Sequence, residues 1–233
     1  MAIELPPDAL LPQSVAQRRG MVERQVRTFN VSDQVVVGRM VEVPREVFVT
    51  PAQRSLAYSD FPLDLPGEAG PRVRQLLPPP VLARMMQATA PQPHQRVLDI
   101  AGGAGYTAAL FAGLVDQVVA LESDRTLAAA AQVNFKALGF KNARALHGPL
   151  RAGAPDHAPY DIIFINGCVE DGFDGLAAQL AAGGRIVAIT PKATGALEVV
   201  EIQGDVGSLS IRPLFDAAAP RLPEFKRAPA FQF

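Results

Sequence analysis

The run RVLDIAGGAGY, from Arg96 to Tyr106, limits the possible folds of this chain more than any other stretch. Aliphatic residues give way to glycines, and the glycines give way to an apolar pattern of helical period, so a strand turns into a helix there. Glycines at such a turn let a ligand approach the backbone and leave helix N-terminal N–H groups pointing outward. The segments that follow repeat the alternation. QVVALE, ARALHG, YDIIFIN and RIVAIT read as strands. Helices are expected after Gly105, from Leu127 to Leu138, and before Gly183-Gly184. Strands separated by helices pair in parallel through right-handed crossovers and are covered on both faces. LEVVEIQ and LSIRPLF, with no helix between them, read as an antiparallel closing pair. The expected fold is an α/β, Rossmann-like sheet.

Upstream, apolar residues recur at helical spacing between Ser14 and Leu56, in Met21, Val22, Val26, Val35, Val36 and Met40. The segment Ser59 to Pro80 holds too many prolines and glycines for regular structure and reads as a loop that can form a lid or substrate edge. A helix is expected from Val81 to Ala88. The tail from Pro220 is proline-rich, ends Phe231-Gln232-Phe233, and is expected to lie extended over the surface. Three regions result: residues 1–80 as helices and lid loop packed on the core, 81–219 as the core, and 220–233 as the tail.

In an open parallel sheet, ligands sit at the carboxyl ends of the strands. Glu122 ends the second strand about 20 residues after the glycine loop, where a carboxylate can accept hydrogen bonds from both ribose hydroxyls of an adenosine. A dinucleotide fingerprint would need G-x-G-x-x-G, but a frame starting at Ala101 or Gly103 puts Tyr106 or Ala108 at the last position. The alternation Ala101, Gly103, Gly105 follows the form used for S-adenosyl-L-methionine instead. A nicotinamide oxidoreductase is the more distant alternative, and a glycine turn that merely makes a tight corner leaves Glu122 without a purpose.

With these residues in view, the chain resembles the protein-L-isoaspartate O-methyltransferases from about Met21 to Leu214. The resemblance is carried by MVERQVR (Met21 to Arg27), VPREVFV (Val43 to Val49), AYSDFPL (Ala57 to Leu63), PYDIIFI (Pro159 to Ile165), QLAAGGRIV (Gln179 to Val187) and Ile211-Arg212-Pro213-Leu214. It implies an S-adenosyl-L-methionine-dependent methyltransferase of protein repair, which passes a methyl group to the α-carboxylate of an isoaspartyl residue in a protein or peptide partner. It also implies a cofactor site made by Asp99, Ala101, Gly102, Gly103, Gly105, Tyr106, Glu122, Ser123, Gly148 and Pro149. Tyr58, Asp60, Gln75, Leu77 and Pro78 fall on the candidate substrate loop.

Several of these positions depart from the family pattern. Where the family has S-Q-P-x-x-x-A-x-M, this chain has Leu77-Pro78-Pro79-Pro80-Val81-Leu82-Ala83-Arg84-Met85. Leu77 lacks the hydroxyl and Pro78 lacks a backbone N–H, which removes two donors to a substrate carboxylate. Gln75 could replace them only from a shifted loop. The family's G-D-G after the third strand becomes Gly148-Pro149-Leu150, and its first loop glycine and Thr/Cys position become Ala101 and Gly102. These changes motivate an alternative: a relative without isoaspartyl activity that binds or scaffolds, or acts on another substrate.

Composition removes other classes. Lys+Arg 22 against Asp+Glu 23, with no basic cluster around aromatics, leaves no electrostatic footprint for nucleic acid. The N-terminus lacks the basic start and apolar run of a secretory signal, and the most apolar stretch, Val97 to Val115, holds Asp99 and several glycines, so neither export nor a membrane partner is expected and the location reads as cytoplasmic. Cys168 is the single cysteine and reads as a small apolar residue. His94, His147 and His157 have no metal-ligand spacing, so no metal is expected. Asn166 and Glu170 occupy the end region of the fourth strand, where both can line the pocket, although Glu170 and Asp171 read more readily as solvated acids. Arg212 can meet a carboxylate from the last strand.

Overall fold

A computed structural model describes residues 11–68, 70 and 74–227. The N-terminal region is helical, as its periodicity predicts. α1 (Pro12–Met21) runs into a π-helical turn (Val22–Val26) and a 3₁₀ turn (Arg27–Phe29), and the chain reverses at Asn30, whose φ is 61°. α2 (Gln34–Glu42) starts at Asp33, which accepts hydrogen bonds from the Val35 and Val36 amides. Two 3₁₀ turns follow, Arg45–Phe48 and Pro51–Leu56. The proline-rich segment is not wholly irregular: β1 (Leu63–Asp64) pairs antiparallel with β2 (Gln75–Leu76). α3 (Pro79–Thr89) has Pro78 at its N-cap, so the prolines occupy a first turn whose N–H groups have no intrahelical partner in any case.

The core then alternates: β3 (Arg96–Ile100), α4 (Tyr106–Ala112), β4 (Gln117–Glu122), α5 (Arg125–Ala137), β5 (Ala143–His147), β6 (Tyr160–Cys168), α6 (Phe173–Ala177), β7 (Leu180–Pro191), β8 (Leu197–Asp205) and β9 (Ser208–Asp216). Seven strands form one sheet in the order β5-β4-β3-β6-β7-β8-β9. The pairings from β5 to β7 are parallel, and β7, β8 and β9 close the sheet antiparallel, as the helix-free C-terminal pattern predicts. Because β4 lies to one side of β3 and β6 to the other, the strand order reverses at β3 and opens a crevice at its carboxyl end.

One expected helix is misplaced. Apolar residues up to Leu180 continue the period of α6, but α6 stops at Ala177, and Gly183-Gly184 lie within β7. Gly183 has φ +76°, which a helix cannot use, and the pairing with β6 is irregular between Tyr160 and Ile162. The tail also departs from a purely surface path. Leu222 and Phe225 are buried, while residues 228–233, including the terminal Phe231 and Phe233, lie outside the described residues. No helix among the described residues is long and apolar enough to cross a membrane.

The N-terminal helices are fixed to the sheet through α4. Every residue of α4 is buried, under a cluster that joins Val22, Val36 and Met40 to Ala108 and Phe111. Arg39 reaches from α2 to the end of α4, where Nη2 donates to the Ala109 carbonyl at 3.0 Å and Nε to the Leu110 carbonyl at 3.3 Å. A cation on the last carbonyls of a helix satisfies orphan acceptors and opposes the negative end of its dipole. Gly113 makes room for it, because a Cβ there would fall 2.1 Å from Arg39 Cζ. Gly113→Ala should therefore displace the guanidinium and cost about 1–3 kcal/mol in urea unfolding. In an Arg39→Met background the same change should cost less than about 0.5 kcal/mol; equal losses in the two backgrounds would refute this account.

Candidate functional site

The reversal at β3 brings the glycine loop, the end of β4 and the end of β6 together. Gly103 and Gly105 have φ of +59° and +95°, a backbone that glycine adopts freely. A Cβ on Gly105 would fall 2.7 Å from the ring of Phe135, so close packing on α5 also requires glycine there. Ala101, at the family's first glycine position, shares the left-handed conformation with φ 59° despite its methyl group. Gly102 has a different reason: a Cβ there would fall 2.4 Å from Asp99 Oδ2. The Thr/Cys of the family pattern is thus excluded here by the place Asp99 takes.

Glu122 is almost fully buried at the tip of β4. Its Oε2 accepts from the Gly103 amide at 3.2 Å, joining the second strand to the glycine loop. Its Oε1 accepts from the Ser123 amide at 2.8 Å, the Asp124 amide at 3.2 Å and Arg74 Nε at 2.9 Å. Arg74 is itself buried; its Nη2 donates to Ser123 Oγ at 2.8 Å and to Glu224 Oε1 at 2.6 Å, and Ser123 Oγ donates to Glu224 Oε1 at 2.6 Å. The two glutamates hold the Arg74 guanidinium above its ordinary pKa against the opposing effect of burial. Burial works to raise the Glu224 pKa, but the hydrogen bonds from Ser123 and Arg74 outweigh it and leave the group below its usual range. Neither Arg74 nor Glu224 carried a sequence signal: one sits in the proline-rich segment and the other in the tail, without a motif around either.

The loop's other acid lies at the junction with β6. Asn166 Nδ2 donates to Asp99 Oδ1 at 2.6 Å and to the Ile100 carbonyl at 2.9 Å, and Asn166 Oδ1 accepts from Thr107 Oγ1 at 2.7 Å. Asp99 Oδ2 faces the Ala108 amide without closing a well-formed hydrogen bond. Asn166, near the end of β6, therefore braces the loop, at a strand end where a pocket-lining residue was expected.

The remaining expected residues divide. Tyr106 turns away from the crevice; it is fully buried against Phe48, with ring centroids 5.3 Å apart, and under Arg45, whose Cζ is 5.0 Å from its ring centroid. Leu77 is buried in the core, so at the family's hydroxyl position the side chain serves packing. Its carbonyl accepts from Arg45 Nη2 at 2.7 Å, and Arg45 Nε donates to the Ala57 carbonyl at 2.7 Å. Arg45, inside the VPREVFV string, thus ties the substrate loop to the N-terminal region, a role its sequence context did not reveal. Pro78 is half-buried at the start of α3, and Gln75 Nε2 donates to Asp64 Oδ1 at 2.7 Å across the β1–β2 pair. Tyr58 donates to Glu46 and accepts from Arg18 Nη1 at 3.3 Å, while Asp60 is exposed. Gly148 follows β5, and Pro149 precedes a 3₁₀ turn (Leu150–Ala152) that packs on the turn Pro223–Phe225.

Several secondary readings also resolve. Arg212 pairs with Glu201, and Asp171 with Arg151 at 2.9 Å. Glu170 is engaged rather than merely solvated, accepting from Arg221 at 2.5 Å and from the Arg227 amide at 3.2 Å. Cys168 is buried, which pushes its thiol pKa up. Among the described residues no group of histidine, cysteine and acidic side chains could hold a metal ion.

The arrangement suits a nucleoside: a buried carboxylate at a strand tip, beside a glycine loop of which Gly102 is partly exposed. Yet the space before the loop is partly taken, since a Cβ on Gly103 would fall 2.2 Å from Leu65 Cδ1, and Arg74 engages the ribose-type carboxylate. The residues fit the ligand in kind, with the chain's own side chains now in its place.

Burial, helped by the charge of Glu122 and opposed by Asn166 and Ala108, raises the Asp99 pKa from 3.8 to about 7. The folded state then binds one more proton than the unfolded state between those values, so this contribution to stability is complete below about pH 4 and is lost as pH rises through about 7. Asp99→Asn should flatten the fall in stability across that window, by up to about 4 kcal/mol in calorimetric unfolding at a series of pH values; an unchanged profile would assign the loss to other groups.

The family model described as protein-L-isoaspartate(D-aspartate) O-methyltransferase matches residues 16–214. The protein-L-isoaspartate O-methyltransferase of Koribacter versatilis is 36% identical over 170 residues, covering 73% of this chain and 74% of that protein. That of Herpetosiphon aurantiacus is 38% identical over 172 residues, covering 74% and 75%. A solved protein-L-isoaspartate O-methyltransferase matches with TM-score 0.76 at 25% identity, over 88% of this chain and 65% of that one. A Plasmodium falciparum structure in complex with S-adenosyl-L-homocysteine shares the fold, with TM-score 0.72 at 18% identity over 89% of this chain and 98% of that one. On its sequence and its fold, this chain belongs to the protein-L-isoaspartate(D-aspartate) O-methyltransferase family.

Proposed function

We propose that this protein transfers the methyl group of S-adenosyl-L-methionine to the α-carboxylate of isoaspartyl residues in damaged proteins, as a repair enzyme of the cytoplasm. The observation that carries the reading, beside family membership, is the Glu122 carboxylate bonded to the Gly103 amide at the strand reversal. When bound, held by Glu122 and the glycine loop, the cofactor would supply an activated methyl on a sulfonium for in-line transfer to a carboxylate oxygen, with the thioether as leaving group. The chemistry asks little of the protein, because a carboxylate is already anionic near neutral pH and needs no general base. Alignment and exclusion of water are what the chain must provide.

Glu122 would accept the ribose hydroxyls, and Ser123 would border them. The loop from Ala101 to Gly105 would border the amino-acid part of the cofactor; its Ala101, Gly103 and Gly105 amides are bonded within the fold, and Asp99 is held by Asn166. The Gly148-Pro149 corner would flank the base. Pro149 offers no carboxylate there, so recognition of the adenine amino group falls to main chain or is absent. On the substrate side, Arg45 positions the Leu77 carbonyl and so the entry to α3. Leu77 and Pro78 give a carboxylate no donor, which leaves the cleft weaker in substrate binding than the family pattern implies.

With labelled cofactor and an isoaspartyl peptide, the protein should form a methyl ester that the matched aspartyl peptide does not. Glu122→Ala should lower the rate at least about 100-fold, in line with losing charge-assisted hydrogen bonds worth about 1.5–3 kcal/mol each. Ester formation no greater than that of Glu122→Ala would reject isoaspartyl activity and favour the non-catalytic alternative that Leu77 and Pro78 suggest.

A further inference from the structure

The crevice at β3 is closed by two parts of the chain that the family reaction does not explain. The first is Arg74. Its Nε lies 2.9 Å from Glu122 Oε1, and its Nη2 continues to Ser123 Oγ at 2.8 Å. A guanidinium on this carboxylate supplies the kind of hydrogen-bond donation that a ribose diol would supply, with a full positive charge added. Glu122 Oε1 already accepts the Ser123 and Asp124 amides as well as Arg74, and Oε2 accepts only that of Gly103, so while Arg74 stays a diol can reach Oε2 but cannot bind both oxygens.

The second part is the turn Pro223–Phe225. Glu224 Oε1 closes a ring of hydrogen bonds with Arg74 and Ser123, each at 2.6 Å. The turn is held on the sheet's carboxyl edge by main-chain bonds: the Cys168 amide to the Pro220 carbonyl at 2.7 Å, the Leu222 amide to the Cys168 carbonyl at 3.0 Å, and the Glu170 and Asp171 amides to the Phe225 carbonyl at 3.1 Å. Leu222 sits against Gly167, where a Cβ would fall 2.7 Å from its Cγ. Phe225 is fully buried in the cluster that contains Ala101, Leu121 and Leu150, from the glycine loop, the tip of β4 and the corner after β5. These are the elements that would surround a nucleoside; the turn that carries Phe225 packs on the corner after β5, and the Arg74 guanidinium lies on the carboxylate at the tip of β4.

We propose that Arg74 and the Pro223–Phe225 turn form an internal latch on the nucleoside site, with the guanidinium standing in for the ribose diol on Glu122, so that cofactor binds only when Arg74 and the turn withdraw together. The proposal rests on Glu122 being the ribose acceptor. The latch makes cofactor affinity depend on residues outside any family motif. Glu224 couples its two parts, since loss of that carboxylate frees the turn from Arg74 and leaves Arg74 held by Glu122 and Ser123.

The test is calorimetric binding of S-adenosyl-L-homocysteine, together with amide hydrogen exchange. Arg74→Gln should bind the ligand at least about 10-fold more tightly than the natural protein, and Glu224→Gln at least about 3-fold more tightly. In the natural protein, saturating ligand should speed exchange at the Cys168, Glu170, Asp171 and Leu222 amides, because the turn leaves them. Binding by Arg74→Gln that is unchanged, weaker or undetectable would overturn the latch, as would amides equally protected with and without ligand. Glu122→Gln separates the two ideas. If it abolishes binding while Arg74→Gln brings no gain, the latch alone fails; if Glu122→Gln binds as well as the natural protein, the ribose reading fails and takes the latch with it. Because Arg74→Gln leaves Glu122 with one fewer partner, Glu224→Gln, which keeps that ion pair, provides the check on a stability artefact.

Discussion

The hydrogen bond from the Gly103 amide to Glu122 joins the two segments on which the cleft depends. One is the loop after β3, where the strand order reverses; the other is the tip of β4. A buried carboxylate is costly unless its lone pairs are used, and Glu122 uses them on three main-chain amides and one guanidinium. The amides belong to the fold and stay with it. Under the proposed latch the guanidinium is the donor that leaves, and binding at Glu122 becomes an exchange of one set of donors for another on a carboxylate that is not left bare.

Buried arginines do similar work elsewhere, mostly on carbonyl oxygens. Arg39 takes the last carbonyls of α4, Arg45 those of Ala57 and Leu77, and Arg18 that of Val41. A guanidinium is suited to this, because its donors are fixed in a plane and can satisfy main-chain acceptors from separate segments at once. Burial lowers the pKa of Arg39 and Arg45, as expected for a cation taken out of water, although a guanidinium as such keeps its proton in proteins. The N-terminal helices are therefore held to the sheet by charged hydrogen bonds as well as by the apolar contacts around Val36 and Met40. That attachment sets where the chain enters α3, and hence where Leu77 and Pro78 lie.

Much of this was legible in the sequence. The strand-helix alternation, the antiparallel close, the N-terminal helices and the placing of the glycine loop and Glu122 at the ends of neighbouring strands all follow from periodicity and spacing, which act over short range. The end of α6 was misread because Leu176, Ala177 and Leu180 keep a helical period, and only the pairing of β6 with β7 shows that the chain has already become strand. Tyr106 adjoins the loop in sequence, but its side chain belongs to the packing against Phe48 and Arg45. Arg74 and Glu224 stand 150 positions apart and meet through folding alone. No local pattern encodes such a contact.

The departures from the family pattern are linked by internal contacts. Leu77 replaces a hydroxyl and is buried in the core; Pro78 lacks an N–H where a helix start leaves N–H groups without intrahelical partners. Gly102 lacks a side chain because Asp99 takes that space, and Asp99 is held there by Asn166. Pro149 introduces the turn that places Leu150, and Leu150 shares a buried cluster with Phe225. At each position a group that would face a ligand in the family pattern has been exchanged for one that suits the chain's own packing. Such exchanges shift free energy from the liganded to the ligand-free state, since contacts made without ligand must be broken or left idle when it binds. Under the proposed latch Arg74 on Glu122 is the most direct case, because there the internal partner and a ribose hydroxyl would contend for Oε1.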